Sequence, residues 1–201
     1  MQRCGGQANK NIGDAFLLVW KMKDQDQKDV TDKNVTDENR QLADMALFSF
    51  IKVVAKINKF SHILKFNEMP EIQDRLPGYR VSLGLGLHQG WSIEGTIGSY
   101  HKIDASYLSA NVNMSQRLET ATKKYGATIL MSQQFHEIMS RMVKTMTREI
   151  DRILVGDERM KLYTVDISTK SCVKQADEFL HKPLKEKRSH EVEERRKLWD
   201  F

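Results

Sequence analysis

The stretch Lys10-Asn11-Ile12-Gly13-Asp14-Ala15-Phe16-Leu17-Leu18-Val19-Trp20 decides the fold. Its second half, Ala15–Trp20, is an unbroken apolar run of strand length, the pattern of a strand covered on both faces or nearly so. Ile12-Gly13-Asp14 is the tight spot before it, where glycine permits a sharp turn, so the stretch reads as a strand pair. The turn sets Asp14 at a strand edge with its carboxylate free. Such a carboxylate suits a hard cation, because magnesium takes oxygen donors and shares a phosphate. An ordinary turn aspartate is the plainer alternative. Upstream, Gly5, Gly6 and Asn9 mark a loop.

Working outward, residues 21–41 form a charged insertion. Its body, Lys21–Arg40, holds Asp24, Asp26, Asp29, Asp32 and Asp37 among lysines and asparagines and lacks the calcium-loop spacing. Gln41–Phe66 reads as a helix, since Leu42, Met45, Ala46, Ser49, Phe50, Val53, Val54 and Ile57 recur at three- and four-residue steps. Pro70 and Pro77 bracket a loop. Tyr79–His88 alternates like a strand, and Trp91–Ile97 resembles its return strand in a hairpin across Gly90. Asn111–Tyr125 is a second helix, with Ser109 as N-cap and Gly126 just past its end. Ala127–Met131 is a short strand and Gln133–Met142 a short helix, weak at its end. Ile150–Val155 and Met160–Val165 pair across Gly156-Asp157. The tail, 168–201, is charged and partly helical. Helices alternate with strands that close in hairpins, which predicts an α+β domain over 1–167 with a mixed or mostly antiparallel sheet.

Composition narrows the class. The chain has 201 residues, 40% hydrophobic and 29% charged, so it builds one core under a charged surface. No stretch approaches the roughly 20 apolar residues of a spanning helix. Met1–Gly13 lacks the apolar region of a secretory leader, and Cys4 and Cys172 lie far apart with no metal-type spacing, so a reducing, cytoplasmic setting is expected. The net charge of +5 comes partly from mixed-sign tail runs such as Lys182–Arg188. Without aromatics beside a patch of one sign, nucleic-acid binding is not expected.

Two further stretches carry candidate chemistry. Gly84-Leu85-Gly86-Leu87-His88-Gln89-Gly90, followed by Gly95 and Gly98, fails the dinucleotide-binding spacing, yet its glycine density implies close approach by a backbone or a ligand. Asn113 and Arg117 stand four apart on one helical face, where an amide and a guanidinium suit a ribose or phosphate oxygen. A surface pair satisfied by neighbours is the alternative. The six histidines, His88, His101 and His136 among them, show no ligand spacing, and the methionines, including Met139, Met142 and Met146, read as core filler.

The order KNIGDAFL, helix, GLGLHQGWSIEGTIGS, strand, NVNMSQRLE, YGATILMS and a closing hairpin ending KLYTV resembles the class III adenylate/guanylate cyclase catalytic domain, a ferredoxin-like related fold, with protist cyclases as the nearest look. The likeness runs from about Cys4 to Asp166. It implies that Asp14 matches the second of two metal-holding aspartates. Lys10 and Ser106 fall on the base-selecting positions, and lysine with a hydroxyl leans to ATP over GTP. Asn113 matches the ribose-orienting asparagine, and Arg117 the arginine that steadies the phosphates. The implied cofactor is Mg2+ or Mn2+, the implied product cyclic AMP, and the implied partner another cyclase-domain chain, because the family's site forms between two protomers. The chain departs from the family at three points. The opening strand with the first metal aspartate would precede Cys4, which leaves an unpaired edge near Ala15–Trp20. Asp157 stands where a phosphate-binding lysine is usual, and the 21–41 insertion follows the metal hairpin. These departures keep open a second reading, a catalytically degenerate subunit of a larger assembly, for which the protist likeness suggests a ciliary setting. In either case the isolated chain is expected to be inactive.

Overall fold

The computed structural model describes residues 4–23, 31–99 and 102–167. The described residues divide into two compact units, one built from those of 4–50 with 84–165 and the other from 51–83 with 166–167. The tail beyond Ile167, including Cys172, lies outside the described residues, as do Asp24, Asp26, Asp29 and His101.

The first unit opens with β1 (Gln7–Ile12) and β2 (Ala15–Val19), antiparallel across Gly13, whose φ of 63° requires a glycine. The register shifts between Ala8 and Lys10, so Asn9 is bulged out of the ladder, a device that re-aims a side chain. The strand pair expected from Lys10–Trp20 is therefore present. Its apolar run is covered less fully than its composition implies: Phe16 is 69% exposed, and Leu17, Leu18 and Val19 are half-buried. Among the described residues β2 pairs with β1 alone. At the far end of β2, Trp20 meets Phe50 edge-on, with ring centroids 5.8 Å apart, and its indole N–H donates to the Cys4 carbonyl. Cys4 is a buried free thiol.

Helix α1 (Asp37–Lys59) starts four residues before the expected start at Gln41. Thr36 is the reason, since its hydroxyl accepts from the Asn39 backbone N–H while Asp37 and Glu38 place negative charge in the first turn. Within the first unit the helix buries Ala43, Ala46, Leu47 and Phe50. Ahead of it, Asp32 ties the end of the insertion down. Its carboxylate accepts from Lys144 Nζ at 2.8 Å and Arg40 Nη1 at 2.7 Å, and its carbonyl accepts from Arg40 Nη2. Lys144 first, then Arg40, holds the Asp32 carboxyl at about 2, below its ordinary 3.8. A depressed carboxyl stabilises the fold at pH values above its unfolded pKa, and that contribution fades as pH falls from near 4 through about 2. Asp32 is exposed, so salt screens the effect. Carboxyl-carbon NMR titration is expected to place Asp32 near 2 and to move it up towards 3.8 in Lys144→Met. A parent value near 4 would show that the lysine is not paired.

The core sheet has four strands in the order β3 (Leu85–Leu87), β6 (Ile129–Ser132), β8 (Glu158–Val165) and β7 (Thr147–Val155). β3 runs parallel to β6, and the other pairs are antiparallel. All of β6 is buried. Helix α4 (Ala110–Tyr125) covers one face, where Leu118, Leu130, Met160 and Leu162 form a cluster lined by Met114, Ala121, Ile150 and Ile153. Burying each such side chain contributes about 1.5–3 kcal/mol. The caps of α4 are those its sequence predicts. The Ser109 hydroxyl accepts from the Asn111 and Val112 N–H groups, and Gly126 ends the helix at φ 61°. The closing hairpin is also as predicted, turning at Gly156.

The hairpin expected across Gly90 does not form. Only Leu85–Leu87 of the expected Tyr79–His88 strand is extended in a ladder, and it pairs with β6. β4 (Ile93–Ser99) pairs forward instead, with β5 (Lys102–Leu108), over seven residue pairs. The physical reason lies in the glycines. A Cβ on Gly90 would fall 2.3 Å from Asn111 Cγ, and one on Gly86 would fall 2.2 Å from the Ser115 carbonyl oxygen. These positions make room for α4 rather than for a returning strand. The short helix after β6 is split into α5 (Gln133–Ile138) and α6 (Arg141–Lys144), each capped by a serine. Met139 is fully buried as core filler, whereas Met142 is exposed.

In the second unit the expected single helix over Gln41–Phe66 is interrupted. Phe60 is extended (φ −73°, ψ 111°), and α2 (Ser61–Glu68) and α3 (Pro70–Arg75) follow with no buried residue. Asn67 and Gln73 fold the following loop back, accepting from the Val81 and Gly78 N–H groups.

Candidate functional site

The candidate residues ride on three pieces of the first unit, the hairpins β1–β2 and β4–β5 and the helix α4. Lys10 of β1 and Ser106 of β5 are 96 positions apart in sequence, and the fold brings them together, with Lys10 Nζ donating to Ser106 Oγ at 3.0 Å. Ser106 is buried at 5% exposure. Two neighbouring contacts hold the hairpins side by side. The bulged Asn9 donates through Nδ2 to the Ala105 carbonyl at 3.0 Å. Lys21, just past β2, donates to Glu94 of β4 at 2.6 Å, and the Tyr107 hydroxyl donates to the same carboxylate oxygen at 3.0 Å. Lys21 and then Tyr107 hold the Glu94 carboxyl below its ordinary range. Asn9 Oδ1 is buried without a partner among the described residues.

Asp14 follows Gly13 at the hairpin tip and is exposed. Asn113 and Arg117 lie one turn apart on α4 and are both exposed. None of these three side chains has a hydrogen-bond or ion-pair partner among the described residues. The amide and guanidinium leave donors open for an anionic oxygen, and the carboxylate leaves acceptors open for a cation. Asp157, at the turn of β7–β8, is exposed as well. No group of three histidine, cysteine or carboxylate side chains able to hold a metal occurs among the described residues.

One arrangement escapes the sequence reading. His88, at the end of β3, reaches Ser132 Oγ through Nδ1 at 2.7 Å and Asn111 Oδ1 through Nε2 at 3.0 Å. Asn111 Nδ2 donates onward to the Trp91 carbonyl at 2.8 Å. Burial holds the His88 imidazole below its ordinary pKa, opposed by the hydrogen bond to Asn111. The available signal was a lone polar ring closing the run Gly84–His88. Its partners are 23 and 44 positions away, so no local spacing announces them.

Known proteins resemble this chain in sequence and in shape. An adenylate cyclase of Anabaena cylindrica is 28% identical over 169 residues, which cover 82% of this chain and 29% of that protein. The chain thus spans less than a third of that relative's length. A bacterial light-regulated adenylyl cyclase superimposes with a TM-score of 0.55 at 18% identity, covering 87% of this chain and 77% of that one. The adenylyl cyclase CyaB from P. aeruginosa gives a TM-score of 0.52 at 21% identity, covering 83% and 74%. These two likenesses are to the fold, which is the α+β arrangement expected from the sequence. The family model for the adenylate and guanylate cyclase catalytic domain matches residues 3–167, and the chain belongs to that family.

Proposed function

We propose that this chain forms one half of a nucleotide cyclase site that converts ATP to cyclic AMP and pyrophosphate, the other half coming from a second cyclase-domain chain. The observation that carries the proposal is the Lys10–Ser106 contact. An ammonium can only donate, whereas a hydroxyl both donates and accepts. Adenine offers a ring-nitrogen acceptor beside an amino donor, so Lys10 would donate to the one and Ser106 accept from the other. Guanine reverses that order along the same edge and would call for a carboxylate at position 10 and a donor at position 106.

Asn113 and Arg117 then act on the sugar and the phosphates. Asn113 would hold the ribose so that its 3′ oxygen faces the α-phosphorus. In the reaction the 3′ oxygen–phosphorus bond forms as the bond to the β-phosphate bridging oxygen breaks. The 3′ hydroxyl proton leaves to solvent, and pyrophosphate departs. The Arg117 guanidinium would neutralise charge building on the phosphate oxygens, with two parallel N–H donors in a fixed fork. Asp14 is the residue of this chain suited to a divalent cation. A single carboxylate fits magnesium or manganese held mostly by phosphate oxygens and water. Bound there, the cation would polarise the phosphoryl oxygens.

A second reading, a regulatory subunit that has kept the fold without turnover, is favoured by Asp157 at the turn where a cation would aid the polyphosphate. No helix among the described residues is long and apolar enough to cross a membrane. A cytoplasmic setting belongs to the proposal as well.

Cyclase assays with magnesium or manganese, on the chain alone and mixed with other cyclase-domain chains, separate the two readings. Product is expected from a mixture and not from the chain alone. It should be lost in Asp14→Ala and fall in Asn113→Ala. Parent-like product from both variants in the mixture would end the enzyme reading, and cyclic AMP from the isolated chain would end the regulatory one.

A further inference from the structure

We infer that His88 is a positioning residue for the nucleotide site, a latch that fixes where Asn113 and Arg117 stand by tying the first turn of α4 to the sheet. The inference rests on the cyclase reading above for the roles of those two residues.

The hydrogen bonds define the tautomer. The Trp91 carbonyl can only accept, so the Asn111 amide must present Nδ2 to it and Oδ1 to His88. Nε2 of His88 must then carry the proton, and Nδ1 is left as an acceptor for the Ser132 hydroxyl. Ser132 Oγ in turn accepts from the Phe135 N–H at 3.2 Å as the N-cap of α5. Every bond in the chain from Phe135 through Ser132, His88 and Asn111 to Trp91 is matched donor to acceptor. Burial lowers the ring's pKa and so favours the neutral form, the state this pattern needs.

Position gives the latch its consequence. Asn111 is the second residue of α4, Asn113 lies two residues on, and Arg117 one turn further. Along its length α4 is pressed against β3 through Gly84 and Gly86, where a Cβ would fall 2.3 Å from Thr122 Oγ1 and 2.2 Å from the Ser115 carbonyl. That contact sets the height of the helix over the sheet but resists rotation and sliding less. The His88–Asn111 bond, with Gly90 packed on the same amide, supplies the missing restraint at the end where the exposed pair begins.

The test uses the full chain. Alone, nitrogen-15 NMR is expected to show His88 as the Nε2–H tautomer. In His88→Ala, amide exchange across Asn111–Arg117 should quicken by about tenfold relative to the buried β6 amides. In a mixture that makes cyclic AMP, His88→Ala should lower kcat by about a hundredfold with KM for ATP within about threefold, the signature of misplaced groups rather than lost binding. His88→Gln, whose amide can reach the Nε2 position, should recover most of kcat. His88→Asn, whose amide reaches only the Nδ1 position, should not. The Nδ1–H tautomer, unchanged exchange, or equal rescue by both amides would overturn the inference. If no mixture makes cyclic AMP, the cyclase reading is lost, and the tautomer and exchange results alone decide whether the latch exists.

Discussion

Replacing Arg117 with alanine is expected to lower cyclic AMP turnover by about 10²–10³-fold in a mixture where the parent is active, equivalent to about 2.7–4 kcal/mol of transition-state stabilisation. The guanidinium is exposed and unpartnered among the described residues, so its removal should leave the fold within about 0.5 kcal/mol of the parent. The loss should appear in kcat more than in KM, because the charge it meets develops as the phosphorus bond is exchanged. Arg117→Lys should recover only part, since a point charge cannot make two parallel bonds. The check is steady-state kinetics beside a chemical denaturation curve. An alanine variant within twofold of the parent would remove Arg117 from the phosphate site.

The largest stability effect is expected at Gly86. A methyl group there would stand 2.2 Å from the Ser115 carbonyl oxygen, 2.6 Å from the Glu119 nitrogen and 3.0 Å from Leu118 Cβ. Two of those neighbours are helix backbone, which cannot swing aside as a side chain can, so α4 must lift from the sheet. Overpacking of this kind costs about 1–3 kcal/mol, and a rigid neighbour puts Gly86→Ala at the upper end. Gly95 serves as the control, being a strand glycine with nothing within 4 Å of an added Cβ. Gly95→Ala should be neutral or slightly stabilising, since alanine loses less backbone freedom than glycine on folding. Urea midpoints at matched slopes measure both. A Gly86→Ala protein as stable as Gly95→Ala would show that α4 does not lie against β3 as described. Because α4 carries Asn113 and Arg117, the destabilised variant should also lose turnover out of proportion to its unfolded fraction.

The elements that the sequence announced are those whose causes are local. Gly13 must be a turn because its φ is positive, and Ala15–Trp20 must then run back along β1. Ser109 and Gly126 bracket α4 because a hydroxyl and a left-handed residue satisfy its free backbone groups within a turn of each end. Thr36 could have been read the same way. The charged insertion around it has no apolar periodicity to mark a helix start. Phe60 broke the expected long helix although its neighbours continue the apolar pattern, and nothing in its local chemistry explains the break. The order of motifs was enough to indicate the family.

Strand partnership was another matter. Leu85–Leu87 offers the same backbone groups to any neighbour, and the choice of β6 over Trp91–Ile97 followed from α4 settling on Gly86 and Gly90. The same holds for the candidate site. Sequence alone supplied residue types and the helical spacing of Asn113 and Arg117. The meeting of Lys10 with Ser106, and of His88 with Asn111 and Ser132, came only with the packed fold. Turns and caps are determined by dihedral preference and hydrogen bonds a few residues long, so the chain states them openly. Contacts across 96 or 44 positions depend on which faces are left free once every local element has formed, and that is decided by burial and close packing in three dimensions.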